Sequence, residues 1–208
     1  MTEIQSEWDA AIFVGTYADA RSQLTTFNAY KAGLKRAWVR ERTDLGALLS
    51  NIQTKLKTYH LREWVPLQGL RQADLDNSWI TLAQVEALRS RRINAEIRNA
   101  KEMLRVRFAE LANQFEGKIR EVTNGIARLV GELEDQLESL KSLQMELLPL
   151  KDNYLKQLED LDRDCREANV EENDHTVFTI DDLVFELELV TTSVAKKAAF
   201  IENQVSPF

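Results

Sequence analysis

Glycine and proline are nearly missing from this 208-residue chain, with seven of the first and three of the second, against usual frequencies of about 7% and 5%. Turns draw on these residues, so few turns are available and long uninterrupted elements must fill the length. Cysteine is reduced to Cys165, which excludes an internal disulfide framework. Two histidines, His60 and His175, leave too few ligands for a Cys/His metal centre. No apolar run is long enough to span a bilayer, and Met1-Thr2-Glu3-Ile4 does not open a signal peptide, so the cytoplasm is the expected compartment. Cations are outnumbered, 27 Lys and Arg to 34 Asp and Glu. That balance argues against a nucleic-acid partner, which needs clustered Lys and Arg to neutralise phosphates.

What is present is apolar enough, at 44% hydrophobic residues, to build a core and too apolar for a disordered tail. The few breakers cluster. Pro66 and Gly69 mark a first loop, Gly117, Gly125 and Gly131 thin out a second region, and Asn169 to Thr179 forms a polar third. Pro149 stands alone in a helical pattern and predicts a kink. Between these breaks apolar residues recur at steps of three and four, as on one buried helix stripe. One series runs Leu75, Trp79, Leu82, Ile93, Ile97, Leu104, Phe108, Leu111, Phe115, Ile119, Val122 and Ile126, interrupted at Glu86 and Arg89 with its phase kept. A helix from Ala73 to about Gly125 would be roughly 80 Å long. Leu24, Phe27, Leu34, Trp38, Leu45, Leu48, Ile52 and Leu56 make a stripe before it, and Leu133, Leu137, Leu140, Leu147, Tyr154, Leu158 and Leu161 one after it.

The segment Val184 to Val190 alternates like a strand, but a helix fits better. Thr179 and Asp182 suit a capping box, and Leu183, Leu187, Val190, Val194 and Ala198 continue at helical steps. An internal repeat then emerges: a loop, an acidic helix start and an aromatic occur at Asp74 to Trp79 and again at Thr179 to Phe185, with the aromatics 106 residues apart. A period near one hundred with three long helices per unit describes spectrin-type bundles in which one helix runs unbroken into the next unit. The expected fold is therefore all-α, two tandem spectrin-like three-helix bundles sharing a long continuous helix in an elongated rod. The repeats would cover 1–112 and 113–208, with second helices at about Tyr17–His60 and Val130–Asn169 and the last helix at Thr179–Asn203. Residues Met1–Thr16 are too short for a full first helix, which suggests truncation there.

Asn51-Ile52-Gln53-Thr54-Lys55-Leu56, the Pro66/Gly69 loop, and Leu75 with Trp79 resemble the first spectrin repeat of the α-actinin rod, as does Leu24 to Tyr30. Leu133-Glu134-Asp135-Gln136-Leu137, Asp174-His175-Thr176, Thr191-Thr192 and Ile201 to Gln204 resemble the last repeat of that rod. A first-type repeat joined directly to a last-type one is similar to the short rods of protist and fungal members. The resemblance implies an antiparallel homodimer, a cytoskeletal setting, and actin binding only through flanking domains that this chain lacks. No Asp-x-Asp-x-Asp-Gly loop is present, so calcium binding does not carry over.

Charge supports the pairing independently. Residues 1–128 carry 20 Lys and Arg against 15 Asp and Glu, a balance of +5, and residues 129–208 carry 7 against 19, a balance of −12. Such a chain repels a parallel copy and attracts an antiparallel one. Arg89, Arg91, Arg92, Arg98 and Arg105 are the candidate basic residues of the interface, facing Glu132, Glu134, Asp135 and Glu138. Nothing assembles a nucleophile, a base and an oxyanion donor, so no enzyme, cofactor or metal is expected. His60 and His175 read as surface or capping residues, and the acidic neighbours of Cys165 would raise its thiol pKa. The expected function is a non-enzymatic structural rod that dimerises and spaces actin-binding domains in a filament crosslinker. The alternatives are a BAR-like membrane-associated dimer, which the acidic second half does not suit, and a general docking scaffold.

Overall fold

The breakers set the element boundaries in the computed structural model, which describes residues 2–205. Met1 and 206–208, the outer ends of the two expected repeats, lie outside the described residues. Every described element is helical: α1 (Thr2–Ala10), α2 (Tyr17–Tyr30), α3 (Arg36–Thr58), α4 (Gln72–Ala127), α5 (Leu133–Pro149), α6 (Lys156–Glu167) and α7 (Ile180–Val205). A π-helical turn, Lys31–Lys35, joins α2 to α3, and another, Leu150–Leu155, joins α5 to α6. The second follows Pro149, where a kink was expected; its missing N–H and ring interrupt the ordinary hydrogen-bond ladder, and a widened turn stands there. The chain divides into two compact units at Ala100/Lys101, a boundary that falls inside α4.

The helix ends follow local chemistry. Thr16 caps α2 through its Oγ1, which accepts from the Asp19 N–H at 3.2 Å. Asp74 gathers the chain ahead of α4, its Oδ2 accepting from the Gly69 and Arg71 N–H groups at 3.0 Å each. At the start of α7 the capping box forms with Asp in the usual Glu position. The Asp182 N–H donates to Thr179 Oγ1 at 3.2 Å, and the Thr179 N–H donates back to Asp182 Oδ2 at 3.1 Å. Helices α3 and α6 end in the same motif. His60 and Asn169 adopt the left-handed conformation, at φ 55° and 52°. The following N–H groups reach back five residues, Leu61 to the Leu56 carbonyl and Val170 to the Cys165 carbonyl, both at 2.9 Å. The repeat read from sequence thus extends to its turn geometry.

In the second unit the three helical segments close a continuous apolar core. Phe108, Ala112, Phe115, Ile119 and Val122 come from α4, Leu140, Leu147, Leu150, Leu158 and Cys165 from the α5–α6 segment, and Leu183, Leu187, Val190, Val194, Ala198 and Ile201 from α7. These are the steps of three and four that the sequence displays, and the Val184–Val190 stretch is helical. Each fully buried Leu, Ile, Phe or Val contributes about 1.5–3 kcal/mol of transfer free energy before entropy is subtracted.

The first unit is built differently. Trp8 of α1 packs edge-on against Phe27 and Tyr30, at centroid distances of 5.3 and 5.0 Å, and Tyr30 in turn meets Trp38. Leu82 and Ile93 of α4 are fully buried. Leu34, Leu45 and Leu48, expected on a buried stripe, are exposed instead. Helix α1 is short and its Trp8 sits at the Phe27 end of α2, and among the described residues α3 contributes no buried side chain.

The left-handed caps yield a ranked expectation. His60→Gly removes a Cβ from a conformation that costs an L-residue about 1–2 kcal/mol, against a smaller entropic penalty for glycine, so it should stabilise by up to about 1 kcal/mol. Asn169→Gly should gain less, since Asn tolerates that region, and His60→Val should destabilise. Urea denaturation of the three variants checks the order.

Candidate charged interface

Helix α4 places the candidate arginines and the helix period decides their surroundings. Arg91, Arg92 and Arg98 fall on its exposed faces. Among the described residues none of the three has a carboxylate within ion-pair distance. Arg89 lies on the buried stripe and is 8% exposed. Arg105 is satisfied within its own unit, with Nη1 on Glu102 Oε2 at 3.1 Å and Nε donating to the Glu172 carbonyl at 2.9 Å.

The acidic set clusters where α5 begins. Glu132 precedes the helix, and Glu134 and Asp135 occupy its first turn, where negative charge complements the helix dipole. These three and Glu138 are exposed, and no Lys or Arg among the described residues pairs with them. Arg105 and this cluster lie at opposite ends of the second unit. The stretch of α4 from Arg105 to Ala127 alone spans about 33 Å. The fold therefore does not bring Arg105 onto these carboxylates within one chain.

Two polar assemblies were not foreseen. Glu86, on the buried stripe and 7% exposed, pairs with Lys35 and accepts from the Tyr30 hydroxyl at 2.8 Å. Burial, and then the bond to Glu86, raises the Tyr30 pKa well above the usual tyrosine range. The second assembly fastens the α6–α7 loop to α4. His175 Nε2 meets Glu102 Oε1 at 2.7 Å, Lys101 donates to the Asn169 carbonyl at 3.2 Å, and Thr176 Oγ1 donates to Asn113 Oδ1 at 3.0 Å. The interruptions at Glu86 and Arg89 were the only sequence signal of the first assembly, and the loop assembly had none. The Cys165 thiol is buried in the second core, and that burial, followed by Asp162 and Asp164, pushes its pKa up. No group of three or more metal-binding side chains occurs among the described residues, and no described helix is long and apolar enough to cross a membrane.

No protein-family model matches the chain. Over 205 residues, 99% of its length, it is 37% identical to Alpha-actinin-like protein 1 of Schizosaccharomyces pombe. The chain belongs to the α-actinin family. It is also 30% identical over 211 residues to Alpha-actinin-3 of Mus musculus, and 31% identical over 146 residues to sarcomeric alpha-actinin of Drosophila melanogaster. It spans 33% of the length of the yeast protein and 23% of the mouse one. This α-actinin segment thus combines the expected all-α architecture with Arg91, Arg92 and Arg98 on one side and Glu132, Glu134, Asp135 and Glu138 on the other, none of them in an ion pair among the described residues.

The carboxylates predict an acid limb. Hydrogen bonds from His175 and then Arg105 lower the pKa of Glu102, and those from Thr179 lower that of Asp182. A carboxylate with a depressed folded pKa lends stability that is complete above its unfolded pKa and is lost as pH falls through the folded value. Glu102→Gln and Asp182→Asn should therefore flatten the loss of stability between about pH 5 and pH 2. Thermal melts across that range check this, and an acid limb as steep as the parent's refutes it.

Proposed function

We propose that this α-actinin segment is a non-enzymatic spacer. Two copies pair antiparallel, the basic half of one on the acidic half of the other, and the pair sets the separation of actin-binding domains carried by longer chains that crosslink actin filaments. Its two spectrin-like repeats would span 1–112 and 113–208, in a cytoplasmic, cytoskeletal setting. The observation that carries this reading is the unmatched charge: among the described residues Arg91, Arg92 and Arg98 lack acidic partners, and Glu132, Glu134, Asp135 and Glu138 lack basic ones. In an antiparallel pair each set meets a half of the opposite sign.

Charges supply register and encounter rate, while apolar contact supplies most of the affinity. Exposed Leu45 and Leu48 on α3, and Phe185 and Leu189 on α7, are available for that contact. Long paired surfaces of this kind bury more than the roughly 1,600 Å² of a standard complex.

Sedimentation equilibrium should give twice the 23.9 kDa chain mass. A single species of monomer mass at every concentration would overturn the proposal. Arg91→Glu or Glu134→Arg alone should weaken the dimer about two- to fivefold, and combining them should restore part of the loss. The association rate should fall as salt is added, and a rate indifferent to salt would remove the steering role.

A further inference from the structure

Arg89 is a cation placed where a solvated helix face has none. It occupies the buried stripe of α4 between Leu82 and Ile93 and is 8% exposed. One nitrogen, Nη2, donates to Gln23 Oε1 at 2.6 Å, while Nε and Nη1 are buried without a hydrogen-bond partner among the described residues. No carboxylate among the described residues forms an ion pair with it. Asp19, whose charge it feels, spends its oxygens on the Val14 N–H and the Gln23 side-chain amide. Leaving donors of a buried guanidinium unpaired is costly, so the site has an unmet demand for an anion.

A second guanidinium shares the location. Arg89 and Arg92 both lie over the ring of Phe13, 5.1 and 5.0 Å from its centroid. The ring gives back part of the lost solvation through cation–π attraction but carries no charge to neutralise two cations. Phe13 sits in the non-helical link between α1 and α2, which is tied down by Gln23 Nε2 donating to the Ile12 carbonyl at 3.0 Å and by the Val14 N–H on Asp19 Oδ2 at 3.0 Å. Ile12 and Val14 are 81% and 75% exposed, so the link turns Phe13 inward and leaves its neighbours in solvent.

We propose that Arg89 and Arg92 form a socket for a carboxylate, that its occupant is an Asp or Glu side chain from the 129–208 half of a second copy, and that Phe13 covers the guanidiniums until that copy docks. The socket rests on the antiparallel pairing proposed above and deepens it. The 129–208 half is favoured as the source because it carries 19 Asp and Glu against 7 Lys and Arg and displays exposed carboxylates at Glu132, Glu134, Asp135 and Glu138 that form no ion pair among the described residues. Arginine suits the task, since its guanidinium keeps its charge when buried and offers several donors to one carboxylate.

The test compares dimer dissociation constants of the full chain, by sedimentation equilibrium, for the parent, Arg89→Gln, Phe13→Ala and the control Arg62→Gln. The control removes the same charge from an exposed loop. Arg89→Gln should weaken the dimer at least about tenfold and Arg62→Gln less than about twofold. Phe13→Ala should raise the association rate, read by stopped-flow mixing. Melting at concentrations where the chain is monomeric separates a folding defect, and Arg89→Gln should melt no lower than the parent there, because it removes an unpaired buried cation. Equal effects of Arg89→Gln and Arg62→Gln overturn the socket while the dimer stands. A parent that stays monomeric at every concentration overturns both. A lowered monomer melting point with an unchanged dimer constant makes Arg89 a packing residue and also overturns it. An unchanged or slower association of Phe13→Ala overturns the covering role. Stabilisation of the monomer by inorganic phosphate, lost in Arg89→Gln and accompanied by an unaltered dimer constant, would assign the socket to a small anion and overturn the proposed occupant.

Discussion

The structure depends on one constraint: a single helix, α4, keeps its period from Gln72 to Ala127, so one stripe must supply side chains to two cores. Its buried positions run Leu82, Glu86, Arg89, Ile93 and Ala100, then Phe108, Ala109, Ala112, Phe115, Ile119 and Val122. Where the stripe is apolar, α5, α6 and α7 close on it in a continuous apolar core. Where it carries Glu86 and Arg89, the packed neighbours must be polar as well, and Lys35, Tyr30 and Gln23 are. The two units therefore differ in kind, one held mainly by hydrophobic burial and the other by an aromatic cluster interleaved with buried ionic groups.

Helix periodicity, the capping box at Thr179 and the loops around Pro66, Gly69 and Asn173 were legible in the residues, because each rests on interactions within a few positions of the chain. The interruption at Pro149 was legible for the same reason, though not its resolution as a π-helical turn. Leu34, Leu45 and Leu48 show the limit of pattern. Their spacing marks a helix face, but burial of that face depends on what packs over it, and spacing does not encode that. The His175–Glu102 contact joins residues 73 positions apart and has no local signature. Arg89 was legible both as a cation and as an interruption of the apolar stripe, and its buried place follows from its four-residue step to Ile93.

The electrostatics fall into two classes once partners are counted. Glu86, Glu102 and Arg105 are satisfied inside the chain and contribute to its folding. Arg91, Arg92, Arg98 and the carboxylates at the start of α5 are left over, and an excess of one sign in each half is not a requirement of either core. Folding needs only local neutrality around buried groups, so the leftover charge is free to be set by encounter with another molecule. On the proposed pairing, residues that stabilise the fold and residues that would recognise the second copy are kept largely apart along α4. On the same proposal Arg89, which is buried yet incompletely satisfied, is where the two roles would meet.

The buried thiol has a practical side. Cys165 lies in the second core with its thiol held protonated by burial and by two neighbouring aspartates, and thiolate is the form that reacts with alkylating probes. Toward such reagents the native chain behaves as a nearly thiol-free background. A cysteine introduced on an exposed helix face would carry a fluorophore or spin label almost alone, so distances between two copies become measurable without first removing the native residue from the core.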